Sequence, residues 1–110
     1  VTLSVRQIGN TVIIDVAGEI DLSNSPQVRQ VLLREIKDNR APRVAMNLCE
    51  VAYIDSSGVA SLVEGLKASR DAGSRLMLIG VSGPAREVLQ LSRLLKLFEL
   101  HDTEEQALAS

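Results

Sequence analysis

Aromatic residues are almost missing from this chain. It has one Tyr, one Phe and no Trp, so aromatics make up 2% of its 110 residues. Its core must therefore be built from Val, Ile, Leu and Ala, and nucleobase stacking on aromatic side chains is disfavoured. Cysteine is equally scarce. The single Cys49 excludes an internal disulfide framework, and its place in an apolar run reads as a small core residue. One His and one Cys, with no ligand cluster at characteristic spacing, give no metal site. A net charge of −2 leaves no electrostatic footprint for DNA or RNA. No apolar run approaches the roughly 18 residues that a membrane-spanning helix needs. No signal peptide opens the chain, and the phosphate-cradling patterns GxxxxGK[ST] and GxGxxG are lacking. These absences together lead us to expect a cytoplasmic protein with no cofactor, no nucleic-acid partner and no membrane insertion.

What is present is the composition of a globular protein, 45% apolar and 24% charged. The length fits one domain over residues 1–110 with a single core, and nothing requires more than a monomer. A start at Val1 is expected of a trimmed chain or a segment of a longer one.

Residues 2–8 alternate, with Leu3 and Val5 expected inward, and residues 11–17 resume a β-type run after Gly9-Asn10, so a hairpin is predicted. Residues 18–24 read as a polar loop. Ser25 is expected as the N-cap of a helix with Pro26 at its first position. Val28, Val31, Leu32 and Ile36 form its buried stripe, with Arg29, Arg34, Glu35, Lys37 and Asp38 mainly solvated. Pro42 ends this unit. Residues 43–48 form a strand, followed by a link through Glu50 and Val51. A second helix should bury Val59, Leu62, Val63 and Leu66 and stop at Gly73. Residues 75–79 make a strand buried on both faces. A third helix from Pro84 should bury Val88, Leu91, Leu94 and Leu95. A short strand at 96–100 and a last helix capped by Asp102, with Glu105 three residues on, complete the chain. Alternating strands and helices predict an α/β fold: a mixed sheet of four to five strands, N-terminal hairpin first, then β-α units with helices packed over it.

The chemistry concentrates where the third strand meets the second helix, at Tyr53-Ile54-Asp55-Ser56-Ser57-Gly58. A helix start carries unpaired amides and a partial positive charge. Asp55 or Ser56 can simply cap it. The same place also accepts a phosphate, with first-turn amides on its oxygens, and phosphorylation of Ser56 would add about −1.5 to −2 charges beside Asp55. Glu19 and Asp21 would add more negative charge if their loop lies at the same end of the sheet. Cap and switch both remain open on these residues alone.

The chain resembles the STAS domain family, and within it the single-domain bacterial anti-sigma factor antagonists. The resemblance covers nearly the whole length. It rests on Gly18-Glu19-Ile20-Asp21, the 44–48 strand, Tyr53-Ile54-Asp55-Ser56-Ser57-Gly58, and Leu91-Ser92-Arg93-Leu94-Leu95-Lys96-Leu97-Phe98. It implies a STAS-like fold, no enzymatic activity, and phosphorylation at Ser56 by a partner that is both anti-sigma factor and serine kinase. The free form then binds that partner, the phosphorylated form releases it, and a PP2C-type phosphatase resets the switch. Asp21 and Asp55 match the family's acidic positions associated with kinase contact, and Glu19, Ser57, Gly58 and Ser61 around them complete the expected partner-binding set. Gly58 is followed by Val59-Ala60 rather than the Leu-Gly common in antagonists. That variant also resembles STAS subunits that dock on ABC-transporter ATPases, which is the alternative reading.

Other chemistries fit less well. Gly80-Val81-Ser82-Gly83-Pro84 does not match the G-x-S-x-G elbow of a serine hydrolase, and His101 reads as a solvated surface residue, whereas a Ser–His pair needs close contact and an orienting acid. The Leu91, Leu94, Leu95, Leu97 and Phe98 cluster fits either a partner groove or a core-facing helix and edge strand, with helical spacing favouring the core. A face of the second helix with Ser61, Glu64, Gly65 and Lys67 reads equally well as a partner contact or a solvated surface.

Overall fold

The computed structural model describes residues 1–110 except Ser82. The hairpin forms as expected from Thr2–Ile8 (β1) and Thr11–Ile20 (β2), which pair antiparallel. Three β-α units follow: Ser25–Leu33 (α1) leads to Arg43–Ile54 (β3), Ser56–Ala72 (α2) to Arg75–Ile79 (β4), and Gly83–Leu91 (α3) to Glu99–His101 (β5). Glu104–Ala109 (α4) ends the chain. The five strands lie in the order β1-β2-β3-β4-β5, and every pair after the first is parallel.

Parallel neighbours require a return crossing, and that fixes where the helices go. On one face Val28 and Leu32 of α1, Leu62 of α2 and Leu89 of α3 join Ile14, Met46 and Leu78 in the main core. Each such buried aliphatic side chain contributes about 1.5–3 kcal/mol of transfer free energy. Among the described residues only α4 covers the opposite face, with Ala107 packed on Ile13, Ala45, Met77 and Ile79. β4 is thus buried on both sides, as its unbroken apolar run predicts.

Several local expectations are corrected. Residues 18–20 belong to β2 and residues 49–54 to β3, because register shifts in the pairing of β2 with β3 let the two strands stay paired to Ile20 and Ile54. Asn24, not Ser25, is the N-cap of α1, and Ser25 is buried. α1 runs on into a π-helical turn, Arg34–Asp38, which turns Glu35 inward, where its carboxylate accepts from Asn39 Nδ2 at 3.0 Å. Val5 is 48% exposed, because β1 is an edge strand reaching past the helix layer. Thr103 caps α4 in place of Asp102. Its Oγ1 accepts from Gln106 N at 3.2 Å, and Gln106 Oε1 reaches back past the cap to accept from Asp102 N at 3.0 Å. Cys49 is exposed, lying near the ends of the paired strands against Gly80 rather than in the core.

Candidate functional site

β2 and β3 deliver the site together. Ile20 pairs with Ile54 and Glu19 with Tyr53, and Asp55 N donates to Ile20 O at 3.0 Å. The chain then turns from extended backbone at Asp55 into α2, whose first residue is Ser56. Gly58 is the residue that allows this close turn. An added Cβ there would stand 2.5 Å from Ile54 Cγ1 and 2.7 Å from Ile20 Cγ2. Both isoleucines are fully buried, so the helix start is pressed against the core and its position is fixed.

Asp55 is the cap. Its Oδ1 accepts from Ser57 N at 2.9 Å, from Gly58 N at 3.1 Å and from Ser57 Oγ at 2.5 Å. The Ser57 hydroxyl, then the amides of Gly58, Ser57 and Leu22, hold the carboxyl below its ordinary value of 3.8, and Asp55 is ionised at neutral pH. The capping question is thereby divided between the two serines. Ser57 is half-buried with its hydroxyl committed to Asp55, whereas Ser56 is exposed. Among the described residues none hydrogen-bonds the Ser56 hydroxyl. Two of the first-turn amides are already taken by Asp55, which corrects the expectation that they stand open to a phosphate on Ser56.

The acidic loop does lie at the same end of the sheet. Asp21 Oδ1 accepts from Ser23 N at 3.0 Å and from Ser23 Oγ at 2.5 Å. Asn24 closes the turn, accepting from Asp21 N at 3.0 Å and donating to Glu19 O at 2.8 Å. Glu19 is exposed and Asp21 half-buried, and the parallel ends of β2 and β3 bring them with Asp55 to the pole of the sheet where α2 starts at Ser56. Leu22 sits at the tip of this loop with 76% of its surface exposed, and Tyr53 is also exposed. Sequence reasoning gave neither a role. The available signal was an aliphatic residue inside an otherwise polar turn.

Ser61 does not belong to the accessible surface. It is 5% exposed, and its hydroxyl donates to Ser57 O at 3.0 Å and to Ser25 O at 3.3 Å, fastening α1 to α2. Gly65 faces Leu32 for the same reason: the two helices cross closely there. Gly58 is buried too. Both Ser61 and Gly58 support the turn from beneath. On the outer face Glu64 and Lys67 are exposed, and Glu64 meets Arg29 at 3.7 Å. His101 is largely shielded rather than solvated, with Nε2 2.7 Å from a Glu99 carboxylate that also takes Arg75. The expectation about Ser82 lies outside the described residues. Among the described residues no three His, Cys, Asp or Glu side chains cluster to hold a metal, and no helix is long and apolar enough to cross a membrane.

Comparison with known proteins adds a second line. A family model described as STAS domain matches residues 2–107. The anti-sigma-B factor antagonist of Listeria monocytogenes is 33% identical over 90 residues, covering 81% of this chain and 77% of that protein. A crystal structure of an anti-sigma factor antagonist from Mycobacterium paratuberculosis superposes with a TM-score of 0.87 at 22% identity, covering 98% of this chain and 91% of that one. The Bacillus cell fate determinant SpoIIAA in its phosphorylated form superposes with a TM-score of 0.76 at 25% identity, covering 98% and 97%.

Proposed function

The chain belongs to the STAS domain family, and on that premise we propose that it is an anti-sigma factor antagonist switched by phosphorylation of Ser56. The observation that carries the reading is the exposed first-turn hydroxyl of Ser56 beside the ionised Asp55. In the free form a partner that is both anti-sigma factor and serine kinase docks over Ser56, with Glu19, Asp21, Asp55 and Ser57 at the contact. The partner transfers the γ-phosphoryl group of ATP to Ser56 Oγ. The hydroxyl proton leaves and ADP is released. A PP2C-type phosphatase hydrolyses the ester and restores the serine. The protein itself performs no catalysis, acts as a monomer and works in the cytoplasm.

The switch works through charge and bulk. A dianion on Ser56 cannot be absorbed by the Ser57 and Gly58 amides while Asp55 holds them, so it projects towards the docked protein. Two like charges about 5 Å apart at an effective dielectric near 20 repel by roughly 3 kcal/mol, about a hundredfold in affinity.

Incubation with the cognate kinase and ATP tests this. One phosphate is expected, at Ser56. Ser56→Ala abolishes it while keeping kinase binding, and Ser56→Asp weakens binding. Phosphate recovered at Ser57 alone would overturn the assignment. Capture of an ABC-transporter nucleotide-binding subunit, with no phosphorylation, would favour a constitutive docking subunit instead.

A further inference from the structure

α3 and β5 enclose a second surface that the Ser56 switch does not use. The leucine-rich segment after α3 only partly enters the core. Phe98 is buried, Leu95 and Leu100 are half-buried, and Leu91 and Leu97 are 77% and 44% exposed. An apolar groove of about 450 Å³ opens there, with Leu95, Phe98 and Leu100 against Gln90, Arg93 and Lys96. Its charged rim is all cationic, in a chain of net charge −2.

Arg93 is the telling residue. α3 ends in a Schellman motif, with Leu94 N donating to Leu89 O at 3.0 Å and Arg93 N to Gln90 O at 3.1 Å. That motif needs a left-handed residue, and Arg93 supplies it at φ 60°. α2 ends in the same motif with Gly73, at φ 70° and with no Cβ strain. Arg40, at φ 51°, is the other described non-glycine residue at positive φ, and of the two it is Arg93 that stands on this groove and brings its charge to the rim.

We propose that this groove docks an amphipathic helix of a partner protein, its apolar stripe on Leu95, Phe98 and Leu100 and its acidic residues on Arg93 and Lys96. Charge complementarity selects the occupant, since a basic helix or a second copy of this groove would meet like charge. The location makes it independent of Ser56. β4 and β5 are parallel, so α3 runs back across the sheet and its end lies at the strands' N-terminal pole, whereas Ser56 follows the C-terminal end of β3. A partner held here would stay attached through both states of the switch.

The test is titration of the isotope-labelled 110-residue chain with two synthetic helical peptides of about 15 residues, each with leucines at helical spacing. One is flanked by Glu, the other by Lys. The Glu peptide should shift the amide signals of Gln90, Arg93, Leu95, Lys96, Phe98 and Leu100 and bind more weakly as salt rises. The Lys peptide should not bind. Lys96→Glu should weaken the Glu peptide about fivefold. Arg93→Gly should weaken it about threefold while raising the melting temperature, a split that a purely structural arginine would not give. Ser56→Asp should leave the peptide affinity unchanged, so this result and the phosphorylation assay fail separately. Equal binding of both peptides, shifts confined to other surfaces, or dimerisation of the chain through this groove in sedimentation would each overturn the proposal.

Discussion

Gly58→Ala sets two effects of opposite sign against each other. Alanine gains up to about 1 kcal/mol over glycine inside a helix. The new Cβ, however, would stand 2.5 Å from Ile54 Cγ1, 2.7 Å from Ile20 Cγ2 and 3.0 Å from Ile54 Cδ1. The terminal methyl can rotate away. The other two atoms sit next to branched Cβ carbons in side chains that are 1% and 0% exposed, and neither has room to move. Overpacking of this kind costs about 1–3 kcal/mol, and more when the crowded atoms are this rigid. The steric effect should win, leaving a net loss of about 1–2 kcal/mol and a melting temperature lower by about 5–10 °C. Thermal and urea denaturation followed by circular dichroism measure it, with Ser56→Ala as the control in the same turn, expected within about 0.5 kcal/mol. Because the Gly58 amide helps to hold Asp55, the variant should also be a poorer phosphorylation substrate. If Gly58→Ala melts at or above the parent temperature, the turn is not pressed against the core and the argument that its position is fixed fails.

Two further outcomes follow from the same geometry. Ser61→Ala should destabilise by about 1 kcal/mol in urea denaturation, since it removes a buried bridge between α1 and α2; a neutral result would show that this bridge does not fasten the two helices. Asp15, Asp55 and Glu99 are all held below their ordinary values of 3.8, 3.8 and 4.5, chiefly by the Arg6, Ser57 and Arg75 side chains respectively. A depressed carboxylate contributes stability that is complete above its ordinary value and is lost as pH falls through the folded one. The melting temperature should therefore hold steady above about pH 5 and fall below it, less steeply in Asp15→Asn with Glu99→Gln; a melting temperature that stays level or rises on acidification contradicts these assignments.

Much of this protein was settled by its sequence alone. Period-two and period-3.6 apolar spacing gave the strands, the helices and the β-α order, since each element must turn one face to the core whatever its neighbours are. The Asp55-Ser56-Ser57-Gly58 turn was legible for a related reason: capping is local, and its donors and acceptors lie within four residues. The acids of the loop, Glu19 and Asp21, came with the family pattern, but their place at the same pole of the sheet as Ser56 needed the parallel pairing of β2 with β3.

Tertiary structure decided what depends on distant surfaces meeting. Ser61 is hidden because α1 crosses α2 at that point, and nothing in the residues around it marks the crossing. Glu35 is turned inward by a π-helical turn, a change of pitch that an apolar period cannot register. Leu91 fits a buried stripe by its spacing from Val88, yet it is exposed because α3 turns Ala85 and Leu89 to the core, and Leu91 lies about 200° round the helix from Leu89. Which serine is free was also a question for the fold. The two hydroxyls are chemically identical, and only the direction of the chain entering α2 gives one to Asp55 and leaves the other facing solvent.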